Sequence, residues 1–269
     1  MNPFVFSCMM PHGGEIVPEL SGDNPDRMGK TRENAKRLGQ WMADAKPDAI
    51  IVLTPHGTRV DGMISITDCE RMTGYEEENG ARFEMEREVD RILASEVIIE
   101  AKKAELPVAS IGYGTSEGPL SCLPLDWGAV VPLRFMPEVP IVVITPSRKV
   151  SFENHLKLGK TLNKVASAST RRIGLIASCD WSHAHDESGP YGYDPEAKIL
   201  DEEIVRLVKE NELEKMAELD PEKIEAAKPD GIWQTLILAG AIPKEERNVS
   251  FLSYEVPTYF GLICAAFQR

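Results

Sequence analysis

Asp48-Ala-Ile-Ile-Val-Leu-Thr-Pro-His-Gly57 is the stretch that decides the fold. From Ala49 to Leu53 it has no polar residue, so it reads as a strand covered on both faces. Pro55 then fixes the backbone as it leaves the sheet, and Gly57 lets it turn sharply beside the His56 imidazole. The same grammar occurs at the start of the chain, where a strand from Phe4 to Met10 runs into Pro11-His12-Gly13. Further strands are expected at Met63 to Thr67, Val108 to Gly112, Pro140 to Thr145 and Arg172 to Ala177. The Pro140 to Thr145 run is apolar enough to be central in the sheet. Helical patterns separate these runs. Thr31 is expected to cap a helix whose apolar positions Ala35, Leu38, Met42 and Ala45 follow a 3.6-residue period. Glu86 to Lys103 reads as a charged amphipathic helix, and Ser151 caps the helix after the central strand. Asp194-Pro195 opens another helix, with Ala197, Leu200, Ile204, Leu207 and Val208 on its buried face. A helix-rich acidic stretch continues to about Gly240, and Val249 to Phe267 is strand-like again. Strands alternating with helices indicate an α/β fold: a single domain over residues 1–269, with a largely parallel central sheet covered by helices.

Composition narrows the function. The chain has 269 residues, with 30 Lys and Arg against 43 Asp and Glu, a formal net charge of −13. Neither a nucleic-acid backbone nor an anionic lipid surface is gripped by such a balance. The apolar runs have the length of buried strands, so no membrane span is expected. Met1 to Met10 has no Lys or Arg ahead of its apolar residues, unlike a secretory signal. Five scattered cysteines (Cys8, Cys69, Cys122, Cys179, Cys264), with no Cys-x-x-Cys, suit reduced buried thiols and a cytoplasmic location. The charge runs Glu76-Glu77-Glu78, Asp201-Glu202-Glu203 and Lys244-Glu245-Glu246-Arg247 read as solvated faces. Walker-A, G-x-S-x-G, H-E-x-x-H and G-x-G-x-x-G motifs do not occur, which removes the main support for ATPase, α/β-hydrolase, zincin and simple dehydrogenase readings.

The chain has only five histidines, so their positions are informative. His12 and His56 each follow a strand, and His183 and His185 follow the Arg172 to Ala177 strand in Ser182-His-Ala-His185. The carboxyl edge of an open parallel sheet is where ligands bind. Two neutral imidazoles with one carboxylate can hold a divalent first-row metal and leave positions open for substrate. Glu15, Asp180, Asp186 and Glu255 are the candidate carboxylates. Glu255, in Ser253-Tyr-Glu-Val-Pro-Thr258, interrupts an apolar, β-rich segment. It either points outward from an edge strand or is paired with an ion, since an unpaired buried carboxylate is costly.

Pro11-His12, Pro55-His56-Gly57, Leu125-Asp-Trp-Gly128 with Val131-Pro-Leu133, Ser182-His183 with Gly189-Pro-Tyr-Gly192, and Tyr254-Glu255 occur in the order expected of one family. In these motifs the whole chain resembles the class III extradiol ring-cleavage dioxygenases, of the protocatechuate 4,5-dioxygenase β-subunit type, with Memo-like proteins among the relatives. The resemblance implies an Fe(II)-dependent enzyme that opens a catechol-type ring with O2. It implies His12, His56 and Glu255 as metal ligands and His183 as the acid/base. His185, Tyr191, Trp127 and Arg148 are then candidate substrate contacts, Arg148 for a substrate carboxylate. Trp127 stands where the family often has histidine, exchanging a hydrogen-bond acceptor for a large apolar face. The implied partners are a small aromatic diol and O2, with a homo-oligomer or small second subunit as further expectations. Two rival readings keep the same ligands: a Zn(II) hydrolase, and a Memo-like metal-binding regulator without turnover.

Overall fold

A computed structural model describes residues 2–268. The strands are β1 (Phe6–Met10), β2 (Ala49–Leu53), β3 (Ile64–Thr67), β4 (Arg71–Glu78), β5 (Ala81–Glu88), β6 (Val108–Ile111), β7 (Cys122–Leu125), β8 (Ile141–Thr145), β9 (Ile173–Ser178), β10 (Asn248–Glu255) and β11 (Leu262–Gln268). The α-helices are α1 (Gly29–Asp44), α2 (Arg91–Lys103), α3 (Trp127–Leu133), α4 (Phe152–Ala168), α5 (Pro195–Lys209), α6 (Pro221–Ala227) and α7 (Ile232–Ala241). An eight-stranded sheet runs β10-β11-β1-β9-β2-β8-β3-β6, beside a small sheet β5-β4-β7.

At the centre of the large sheet, β1, β9, β2 and β8 are mutually parallel, so their carboxyl ends share one edge. All four are buried along their length, as their predominantly apolar sequences require. Successive side chains point to opposite faces. Ile51, Leu53, Val142 and Ile144 therefore enter one core with Leu93, Leu162, Ile204 and Leu236 from α2, α4, α5 and α7. Ile50, Val52, Ile141 and Val143 enter the other with Leu38 and Met42 from α1 and Val130 from α3. Burying each such side chain contributes about 1.5–3 kcal/mol, which fixes the register of these strands. The outer pairs of β1 with β11, β11 with β10 and β8 with β3 are antiparallel. This is the α/β fold expected, with a mostly parallel sheet between helices.

Two local expectations need correction. The helix expected from Glu86 begins only at Arg91, because residues 81–88 form β5 and pair with β4. The hairpin turns through Asn79 and Gly80, both at positive φ (52° and 75°), which the right-handed strand twist favours in a tight turn. Asp90 is the N-cap of α2, its side chain accepting from the Leu93 N–H. Thr31 does not cap α1 but lies inside it, since the N-cap is Met28. Ser151 and Asp194 do cap α4 and α5 as expected. All five cysteines are free thiols, and among the described residues no helix is long and apolar enough to cross a membrane.

Candidate metal centre

His12 lies just past β1, His56 just past β2, and Asp180 and His183 just past β9, all at the shared carboxyl edge. The carboxylate that meets the two histidines is Asp230, from the turn between α6 and α7. Asp230 Oδ2 is 3.2 Å from His12 Nε2 and 3.4 Å from His56 Nε2. The two Nε2 atoms are 3.1 Å apart. These three ligand atoms lie within 4.8 Å of one another. Asp180 stands behind them, its Oδ1 accepting the His12 backbone N–H and its Oδ2 3.5 Å from His12 Nε2.

Donor and acceptor accounting assigns the His12 tautomer. Ser178 spends its one hydroxyl proton on the Gly128 carbonyl, so its Oγ can only accept at 2.9 Å from His12 Nδ1. Nδ1 therefore carries a proton, and a neutral His12 points its Nε2 lone pair at His56 and Asp230. Burial alone lowers the His12 pKa, but the facing Asp180 and Asp230 carboxylates outweigh it and raise it to about 9. For Asp230 burial pulls upward, yet the charges of His12 and its neighbours hold it well below the usual carboxylate range. Asp180 is pushed up, chiefly by burial. The cluster thus retains a proton where a cation fits.

Among the residues the sequence singled out, His12 and His56 come together and Glu255 does not join them. The Glu255 carboxylate accepts the Thr31 backbone N–H at 2.9 Å and the Thr31 hydroxyl, so it closes the N-terminus of α1. The carboxylate the structure brings beside the two histidines is Asp230. It sits in Lys228-Pro-Asp-Gly231, whose Pro-Asp-Gly is a turn signature, directly before the apolar α7. That turn was the one legible signal for it.

His183 stands beside the cluster. Its Nδ1 donates to the Lys228 carbonyl at 2.8 Å, which leaves Nε2 turned toward the cluster, 4.0 Å from Asp230 Oδ2. Phe260 stacks on the ring at 5.5 Å and 14°, fixing its plane. A cavity of about 580 Å³ opens over His56 and Asp230, with Trp127, Arg148, Tyr191 and Trp233 in its wall. Trp127 stacks on His56, ring centroids 4.1 Å apart at 21°. The Arg148 guanidinium lies over the Trp233 ring at 4.7 Å and donates to the Pro229 carbonyl at 3.3 Å. His185 is not in this wall, because its Nε2 donates to Asp201 at 2.9 Å.

Residues 7–267 match the family described as the catalytic LigB subunit of aromatic ring-opening dioxygenase. A Clostridium acetobutylicum protein, Protein CA_C1420, is 25% identical over 252 residues, covering 92% of this chain and 54% of that protein. The chain thus spans about half the length of this curated relative. The crystal structure of the uncharacterized Escherichia coli K12 protein JW3007 superposes with a TM-score of 0.63 at 17% identity, over 97% of this chain and 98% of that one. At that identity the likeness concerns the fold. The chain belongs to the LigB family of aromatic ring-opening dioxygenase catalytic subunits.

Proposed function

We propose that this LigB-family chain is a non-haem Fe(II)-dependent extradiol dioxygenase acting on a catechol-type ring. The observation that carries the reading is the convergence of His12, His56 and Asp230 on one floor, with His183 beside it and aromatic walls above. Two imidazole nitrogens and one carboxylate oxygen suit non-haem Fe(II), because they leave coordination positions open. The two Nε2 atoms face each other at 3.1 Å, an arrangement that needs a proton or a cation between them. His12, His56 and Asp230 would hold the metal. Bound Fe(II) supplies a Lewis acid for the diol oxygens and a route for electrons from the ring to O2.

The chain's own residues do the rest. His183, with Nδ1–H committed to the Lys228 carbonyl, offers Nε2 to take a phenolic proton and return it later. A ring nitrogen with a free lone pair can accept the proton in one step and hand it back in the next. Trp127, Trp233 and Tyr191 would give the ring apolar faces, and Arg148, in the same wall, would meet an anionic substituent through its guanidinium. The Trp127 indole lies flat on His56 and offers substrate a face instead of the hydrogen-bond acceptor common at this position in the family.

Anaerobic Fe(II) loading, followed by oxygen-electrode assays on catechols with and without a carboxylate, tests this reading. Catechol-dependent oxygen uptake is expected only from the Fe(II) form. Zn(II)-dependent hydrolysis, or stoichiometric metal with no turnover of any kind, would replace it with the hydrolase or the regulator reading.

A further inference from the structure

Beneath the loop that carries His183 lies a carboxylate with no part in the metal cluster. Asp201, on α5, is fully enclosed. Its Oδ1 accepts the Ser182 backbone N–H at 3.0 Å. Its Oδ2 accepts from His185 Nε2 at 2.9 Å and from the Tyr254 hydroxyl at 2.8 Å. One side chain thereby joins three parts of the chain: α5, the loop of residues 180–186, and β10. Opposite it, Gly261 is required, since a Cβ there would collide with the Asp201 carboxylate.

Such a carboxylate is costly to desolvate. Among the described residues no Lys or Arg comes within ion-pair distance of Asp201, whose side-chain partners are the His185 imidazole and the Tyr254 hydroxyl. Its placement has a local consequence: Ser182 immediately precedes His183, so the bond to Asp201 is the last anchor before the imidazole. Beyond it, the His183 N–H donates to the Ala227 carbonyl at 2.9 Å and the His185 N–H to Tyr259 at 3.2 Å. The loop is therefore pinned from α6 on one side and from the β10–β11 connection on the other, with Asp201 below. His185, expected from the sequence to touch substrate, has its Nε2 turned into this clamp.

We propose that Asp201 is a positioning residue for His183: through the Ser182 N–H and the His185 imidazole it sets where the loop holds the proton-transfer ring above Asp230. The effect on turnover rests on the dioxygenase reading, whereas the effect on the loop does not. A misplacement of about 1 Å at a reacting group can cost about a hundredfold in rate. Steady-state kinetics and backbone hydrogen exchange on the Fe(II)-loaded protein test the proposal together, with Asp201→Asn, His185→Ala and His185→Gln as variants.

For Asp201→Asn and His185→Ala, kcat is expected to fall at least about tenfold, with KM and iron content unchanged, as is typical when an outer partner of a site is lost. Exchange of the 182–185 amides should quicken while β1 and β9 keep wild-type protection. His185→Gln keeps an N–H that can reach Asp201 and is expected to recover most of the lost rate. If Asp201→Asn fails to fold, the two His185 variants decide alone. Wild-type exchange over 182–185 in His185→Ala overturns the clamp. A Gln variant as impaired as Ala, with raised KM, overturns it in favour of a substrate contact by His185. Should the wild-type protein show no oxygen uptake with any catechol, the dioxygenase reading fails. Quickened exchange confined to 182–185 would still uphold the clamp in that case.

Discussion

Asp230, which is buried, and Glu255, which is half-buried, both bring a carboxylate to the carboxyl edge of the sheet, and they meet opposite kinds of partner. Glu255, at the end of β10, faces donors: the Thr31 N–H and hydroxyl at the start of α1, whose N-cap Met28 makes no side-chain capping bond. A carboxylate at a helix N-terminus is satisfied by the chain itself, through hydrogen bonds and the helix dipole. Asp230 Oδ1 accepts the Asp180 N–H, but its Oδ2 faces His12, His56 and His183. Those imidazole nitrogens balance it only when a proton or a cation is shared. The same functional group is therefore a cap in one place and a ligand candidate in the other, and the partner decides which.

The sharpest contrast within the Asp230 region is between the histidines that face each other and the one that stands apart. His183→Ala is expected to keep metal and to lose turnover by about 10²–10⁴-fold, the range for one acid–base group. Metal analysis beside oxygen-uptake rates checks this. Loss of metal would move His183 into the ligand set and dissolve the contrast.

A pH titration sharpens the same region. His12 has a pKa raised to about 9, so the metal-free protein keeps it protonated below that pH. A metal needs the neutral ring, and binding must expel the proton. Affinity for Zn(II), measured against a competing chelator, should then rise about tenfold per pH unit up to about pH 9 and level off above. The metal-free fold should show the converse linkage. Stability from the raised His12 pKa is full below about pH 6.5 and is lost as pH rises through about 9. A flat affinity profile over that window would mean that His12 does not exchange a proton for the metal.

The smallest effect belongs to Glu255. Glu255→Ala removes a cap and should cost about 1 kcal/mol. A loss of that size lowers Tm by about 2–4 °C in a chain of roughly this length. Calorimetry on the metal-free protein measures it without interference from the site.

How much of this was readable depended on whether the signal was local. Strands β1, β2, β8 and β9 stood out because burial on both faces demands mostly apolar runs, and His12 and His56 followed from where those runs end. The β4–β5 hairpin was obscured because its exposed positions carry Glu and Arg, which read as a solvated charge run and a helix start. The Asn79-Gly80 turn between them was the available clue. Asp230 was not readable as a neighbour of the histidines, since it lies 218 residues from His12 in a turn between two helices, where no spacing rule links them. Glu255 drew attention for a sound reason, a carboxylate within an apolar segment. Its partner, the open end of α1, is 224 residues away and emerges only once the chain is folded.

Iron content of Asp230→Ala and Glu255→Ala, loaded anaerobically side by side with the wild-type protein, tests the centre of this comparison most directly. Asp230→Ala is expected to lose more than about 100-fold in affinity, beyond the range for an outer partner, while Glu255→Ala binds iron as the wild type does. Full occupancy in Asp230→Ala with an empty site in Glu255→Ala would contradict the assignment and return Glu255 to the metal.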